Sequence, residues 1–173
     1  MHSENMPDIP NPDYDDPKEI YAFFGLTYYK AAVLEHGVLN LAVALLATET
    51  PGITVGQVDK LYESFDKKTF GQVIRAARQR FNFPADLESD LKMALEQRNY
   101  LAHRFFVDHD IDLQLPEGRR QMIDELIDIL RHLQSVDIRM DDLWMSAWEP
   151  LGVTKEWIEE KMQEFVLHRK ANA

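Results

Sequence analysis

The chain has 173 residues, 45% of them hydrophobic and 28% charged, a composition of single-domain globular proteins and not of collagenous, low-complexity or wholly disordered chains. It contains no cysteine, which excludes disulfide frameworks, zinc-thiolate and iron-sulfur sites, and thiol nucleophiles. With 30 acidic residues against 19 lysines and arginines the formal charge is -11, so any phosphate-bearing partner must find a local basic patch.

Glu4, Asp8, Asp13, Asp15 and Asp16 lie among four prolines at the N-terminus, without the basic start or apolar run of a signal peptide. Residues 1–18 are therefore expected to form a disordered acidic tail, and residues 19–173 one domain. From Glu19 to Ala47 the chain is rich in Ala, Leu, Val and aromatics without strand-like alternation, which predicts a long central helix. Its most apolar run, Val38 to Ala47, is interrupted by Asn40 and falls short of the roughly 20 residues of a membrane span, so a soluble cytoplasmic protein is expected. Pro51 and Gly52 end this helix. Shorter helices are predicted over Thr54 to Phe65 and Thr69 to Phe81, the second with Phe70, Val73, Ile74 and Ala77 at helical spacing.

Beyond Pro84, Leu87, Leu91, Ala94, Leu101 and Phe105 mark one stripe of a helix running from Asp86 to about Val107, and Arg98 occupies the slot that completes it. An acidic loop from Asp108 to Pro116 leads to a helix carrying Met122, Ile123, Leu126, Ile127, Leu130 and Leu133, with its end beyond Val136 left open. Thr154 and the stripe Ile158, Met162, Phe165, Val166 predict a last helix after Pro150 and Gly152. The fold class is all-α, an up-and-down bundle of about five to six helices.

A guanidinium in an apolar stripe must find a carboxylate, a carbonyl or a phosphate. On the first helix Phe24, Tyr28, Ala31, Val38, Ala42 and Leu45 form a stripe whose missing member is Glu35, so Glu35 and Arg98 are expected to meet across the bundle. That pair alone fits a structural ion pair. Asn99 and His103, four apart, share a helix face, whereas His103 lies about 140° around the helix from Arg98, which favours a site completed by distortion or by a second subunit. An arginine that stays charged, a histidine that exchanges protons near neutral pH and an orienting asparagine suffice for cleavage of RNA without a metal or cofactor.

Lys67, Lys68, Arg75, Arg78 and Arg80 fall in a stretch without acids, either a phosphate-tracking patch or a solvated face. Tyr100, Phe105 and Phe106 suit either base stacking or a core. His109 with Asp108, Asp110 and Asp112 matches no metal spacing and reads as a solvated loop, while His36 beside Glu35 is the other histidine that could approach a buried site. Trp144, Trp148 and Trp157 with Met140 and Met145 read as a packing cap or a protein contact.

Arg98-Asn99 followed by His103, late in an all-α chain whose apolar first helix carries a glutamate, resembles the HEPN superfamily over roughly Glu19 to Leu133. The resemblance implies a homodimeric helical bundle and a metal-independent endoribonuclease of a toxin-antitoxin or defence system, with Arg98, Asn99 and His103 catalytic, Glu35 supporting, RNA as substrate and an antitoxin as partner. In one branch of that family a tyrosine two residues after the histidine is nucleotidylated. Phe105 stands there in this chain, so that regulation is not implied. A non-catalytic dimerisation or interaction module, with a structural Glu35–Arg98 pair, stays open as the alternative.

Overall fold

The computed structural model describes residues 8–171, which are helical and contain no strand. The helices are α1 (Glu19–Thr48), α2 (Val55–Phe65), α3 (Phe70–Arg78), α4 (Ala85–His103), α5 (Phe105–Asp108), α6 (Pro116–Trp148) and α7 (Lys155–Ala171), with 3-10 turns at Asp112–Gln114 and Glu149–Leu151. The chain sets these ends locally. The backbone N–H of Thr54 donates to Gln57 Oε1 and that of Thr69 to Gln72 Oε1, both at 2.9 Å, and Pro116 opens α6 where its missing N–H costs nothing.

The core forms where α1 lies along α6, the most extensive contact in the fold. Ile20, Phe23, Ala31, Leu34, Val38 and Leu41 of α1 are buried with Met122, Leu126, Leu130, Leu133 and Met140 of α6. The two helices run parallel, since the hydroxyl of buried Thr27 donates to Leu126 O at 3.3 Å while Gly37 faces Asp137 and Met140. α4 runs antiparallel to both: Arg139 of α6 reaches Asp86 and Asp90 near its start, and Phe105, just past its end, packs on Phe24. By length and composition α1 is long and apolar enough to cross a membrane, contrary to the expectation from the Val38 to Ala47 run, and half of its most apolar window is buried inside the bundle.

The helix expected from Asp86 to Val107 is broken after His103. Arg104 leaves helical geometry at φ -126°, and α5 restarts at Phe105, which is fully buried. The break returns His109 to within 3.1 Å of the Tyr100 hydroxyl, whereas nine residues of unbroken helix would separate them by about 13 Å. α6 continues well past Val136 because Met140, Leu143, Ala147 and Trp148 prolong its apolar side until Pro150 and Gly152. Residues 1–7 of the expected tail lie outside the described residues. From Asp8 onward the segment lies against the bundle: Ile9 and Tyr14 pack on the core, Tyr14 donates to Asp124 at 2.5 Å, and Arg120 stands over its ring. An aromatic and an aliphatic anchor thus hold down a stretch that its acids and prolines alone suggest is free.

Candidate functional site

α4 carries Arg98, Asn99 and His103 and presents them differently. Arg98 Nε lies 3.6 Å from Glu35 Oε2 of α1, so the two mid-stripe charges do meet. Their side chains keep 29% and 24% of their exposure, so the pair sits at the wet edge of the α1–α4 seam and is not buried as expected. The core stripe of α1 runs instead through Ile20, Phe23, Ala31, Leu34, Val38 and Leu41, which turns Glu35 to the margin. Arg98 Nη1 donates to Asn99 Oδ1 at a long 3.4 Å, and Nη2 has no hydrogen-bond partner among the described residues. A guanidinium steered by one carboxylate at Nε, with its outer edge unspent, is suited to an incoming anion.

His103 is the last residue of α4, exposed and without a side-chain partner among the described residues. Asn99 shares its face and is also exposed. Arg98 and His103 are five residues apart on a regular helix, so they are separated by about 7.5 Å along its axis and point about 140° apart. One chain therefore does not bring them to a single point.

The expected basic stretch is partly neutralised. Arg78 pairs with Glu88 of α4, Arg80 with Glu49 at 3.3 Å, and Lys68 stands 5.2 Å over the Phe65 ring. Arg75 faces an open cleft of about 460 Å³ between α3 and α4, together with Gln72, Arg78 and Lys92. The cleft extends to Leu95, one helical turn before Arg98 and Asn99. Of the aromatics considered for stacking, Phe105 is buried, Tyr100 is half-buried, and Phe106 packs on Phe24 and Tyr21. On α1 the rings of Tyr21, Tyr28 and Tyr29 are exposed. His36 is exposed beside Glu35, and among the described residues no three of the histidines and acids form a metal-binding group.

His109 is not a solvated loop residue. Its side chain is 15% exposed, Nδ1 lies 2.7 Å from Asp112 Oδ2, and Nε2 lies 2.8 Å from Glu125 Oε2 and 3.1 Å from the Tyr100 hydroxyl. With both ring protons in place it donates to both carboxylates and ties the turn after α5 to α6. Burial works against the charged ring, but the hydrogen bonds to Asp112 and Glu125 outweigh it and raise the His109 pKa above 6.5. Burial and the neighbouring Glu125 likewise keep the Tyr100 hydroxyl protonated. Nothing in the local spacing announces this cluster, because Glu125 comes from a different helix; the one available signal is a histidine three residues before an aspartate.

A raised folded pKa means that the stabilisation from charged His109 is complete below the unfolded value of 6.5 and is lost as pH rises through the folded value. His109→Gln should therefore lower the melting temperature more at about pH 6 than at about pH 8.5. Equal losses at both would show that the charge of this ring contributes nothing to stability.

Trp148 and Met140 are buried as a packing cap expects, whereas Trp157 is 45% exposed and lines an open groove with Trp144, Val55 and Val58. Comparison with known proteins found no matching family model, no matching curated protein and no matching solved structure.

Proposed function

We propose that this chain is a HEPN-like endoribonuclease that cuts RNA without a metal ion and works as a homodimer. The observation that carries the reading is the pairing on one helix of a half-exposed Arg98, whose Nη2 is unspent, with a solvent-facing His103 that shares its face with Asn99. His103 takes the proton of a ribose 2'-hydroxyl, whose oxygen attacks the adjacent phosphorus, and the bond from phosphorus to the 5'-oxygen breaks. The leaving 5'-oxygen is protonated by a histidine in its acid form or by water. The products are a 2',3'-cyclic phosphate and a 5'-hydroxyl. Arg98 neutralises charge on the pentacoordinate phosphorus, and Asn99 orients a non-bridging oxygen. Because the two side chains diverge around α4, a second copy supplies the complementary half, and the exposed Tyr28 and Tyr29 of α1 give it an apolar footing.

The α3–α4 cleft, with Arg75 and Lys92, offers the RNA backbone a positive approach in a chain of net charge -11. Five cations in that stretch do not act alike, since Arg78 and Arg80 are already held by carboxylates. RNA affinity should accordingly be modest and fall steeply with salt. A toxin-antitoxin or defence setting in the cytoplasm, with an antitoxin as restraining partner, completes the reading. The rival, a non-catalytic interaction module, has one observation in its favour: the Glu35–Arg98 pair bridges α1 and α4 whether or not RNA is present.

The test is incubation of the purified chain with a pool of single-stranded and structured RNA in EDTA, with the new ends identified. Fragments ending in 2',3'-cyclic phosphate are expected. Cleavage that requires an added divalent ion, or no cleavage by a folded dimer, overturns the proposal.

A further inference from the structure

α7 extends from the bundle without burying a single side chain. Ile158, Met162 and Phe165 are nevertheless spaced four and three residues apart, with Val166 beside them, so one apolar side runs along the helix. Of these four only Ile158 is half-buried; from Met162 onward every described residue is exposed, Phe165 at 72%. A helix of this length draws little stability from propensity alone and owes it to packing of such a face. An apolar stripe on a helix that buries nothing calls for a covering surface.

Charge along α7 specifies that surface. Glu156, Glu159, Glu160 and Glu164 precede the last turn, which carries Arg169 and Lys170. The root of the helix is acidic as well: Ile158 and Glu159 line an open groove of about 580 Å³ with Asp137, Asp141 and Asp142 of α6, against Lys30 and Lys155. An acidic root and a basic tip on one apolar stripe match a second helix of the same kind running the opposite way. We propose that α7 pairs antiparallel with α7 of a second copy, each basic tip entering the acidic groove at the root of the other. Glu159 and Lys170 are eleven residues, about three turns, apart and so share one flank of the stripe. A two-fold axis near Glu164 brings Glu159 to Lys170 of the second copy and Met162 to Val166 of the second copy, and each contact occurs twice. The four glutamates of α7 disfavour the other surface on which such a stripe could lie, an anionic membrane.

This association is separate from the dimer proposed above, which meets across α4, and it is read out as assembly mass and not as RNA cleavage.

The experiment is analytical sedimentation of the full chain at low and high salt, beside variants of the tip, the root and the stripe. Expected for the native chain is self-association with a dissociation constant below about 100 μM, weakening as salt rises. Arg169→Glu with Lys170→Glu sets acid against acid, and Asp142→Lys with Glu159→Lys sets base against base. Each pair of substitutions should weaken association at least about tenfold, from dimer to monomer or, where copies also meet across α4, from tetramer to dimer. Mixing the two variants joins acidic tips to basic roots and basic tips to acidic roots, and should restore the native mass. Phe165→Glu should also weaken association at least about tenfold, with the melting temperature of the bundle unchanged because α7 buries no side chain. A native mass kept by Phe165→Glu, or no recovery of mass on mixing, overturns the pairing. So does a native chain whose mass the α7 variants leave unaltered and which instead binds vesicles of anionic lipid, since a membrane would then be the covering surface.

Discussion

Arg98→Ala is expected to reduce RNA cleavage by about 100-fold to 1,000-fold, the range for removing one preorganised donor to a developing negative charge. Its effect on stability should stay within about 1 kcal/mol, because an ion pair with this much solvent contact is worth little. The contrast follows from where the side chain sits. A fully buried guanidinium would leave Glu35 stranded in the core on removal, whereas here water reaches the carboxylate from the edge of the seam. Arg98→Lys keeps the charge but loses the planar fork that spans Glu35 and a phosphate together, and it should recover only part of the activity. Rates and melting temperatures for the three proteins check this. A variant that loses its fold along with its activity would show the pair to be structural and would favour the interaction module.

The largest loss of stability is expected from Gly118→Ala. Glycine inside a helix normally costs roughly 1 kcal/mol relative to alanine, so this exchange usually stabilises. At Gly118 a Cβ would overlap the backbone of Asp112, within 2.7 Å of its carbonyl carbon, and a backbone cannot swing aside as a flexible side chain does. The 3-10 turn at Asp112–Gln114 must then lift off α6, at a cost of roughly 3 kcal/mol, or a melting temperature lower by about 6 to 12 °C for a chain of this size. Asp112 would withdraw from His109 at the same time, so the pH dependence expected for His109 should flatten in this variant. Gly25→Ala, where nothing lies within 4 Å of the added methyl, is the control and should hold or gain stability. Similar melting temperatures for the two variants would contradict the close approach.

Periodicity made the helices legible. The apolar stripes of α4 and α6 set their inner faces, and Pro51, Pro84, Pro116 and Pro150 set the breaks between elements, because each acts within one or two turns of chain. Arg98 and Glu35 were readable together for the same reason: each interrupts a stripe, and two interruptions on facing helices point to one another. The depth of the pair was not, since several stripes can be drawn along so apolar a helix and only packing against α6 selects one. The break at Arg104 escaped because Arg98 to Val107 contains no glycine or proline, and the gain that compensates it, the His109 cluster, draws Glu125 from another helix. Arg78 and Arg80 looked available for phosphate because Glu88 and Glu49 lie outside their acid-free stretch.

The most direct test of the account compares the native chain with His103→Ala on one RNA in EDTA, after both have been shown to share helicity, melting temperature and oligomeric state. His103 is exposed and holds no partner among the described residues, so removing it takes nothing from the fold. The expected result is an unchanged protein whose cleavage falls by about 100-fold or more, the contribution of a positioned proton-transfer group. Cleavage by His103→Ala at the native rate would contradict the assignment of α4 as the reacting surface.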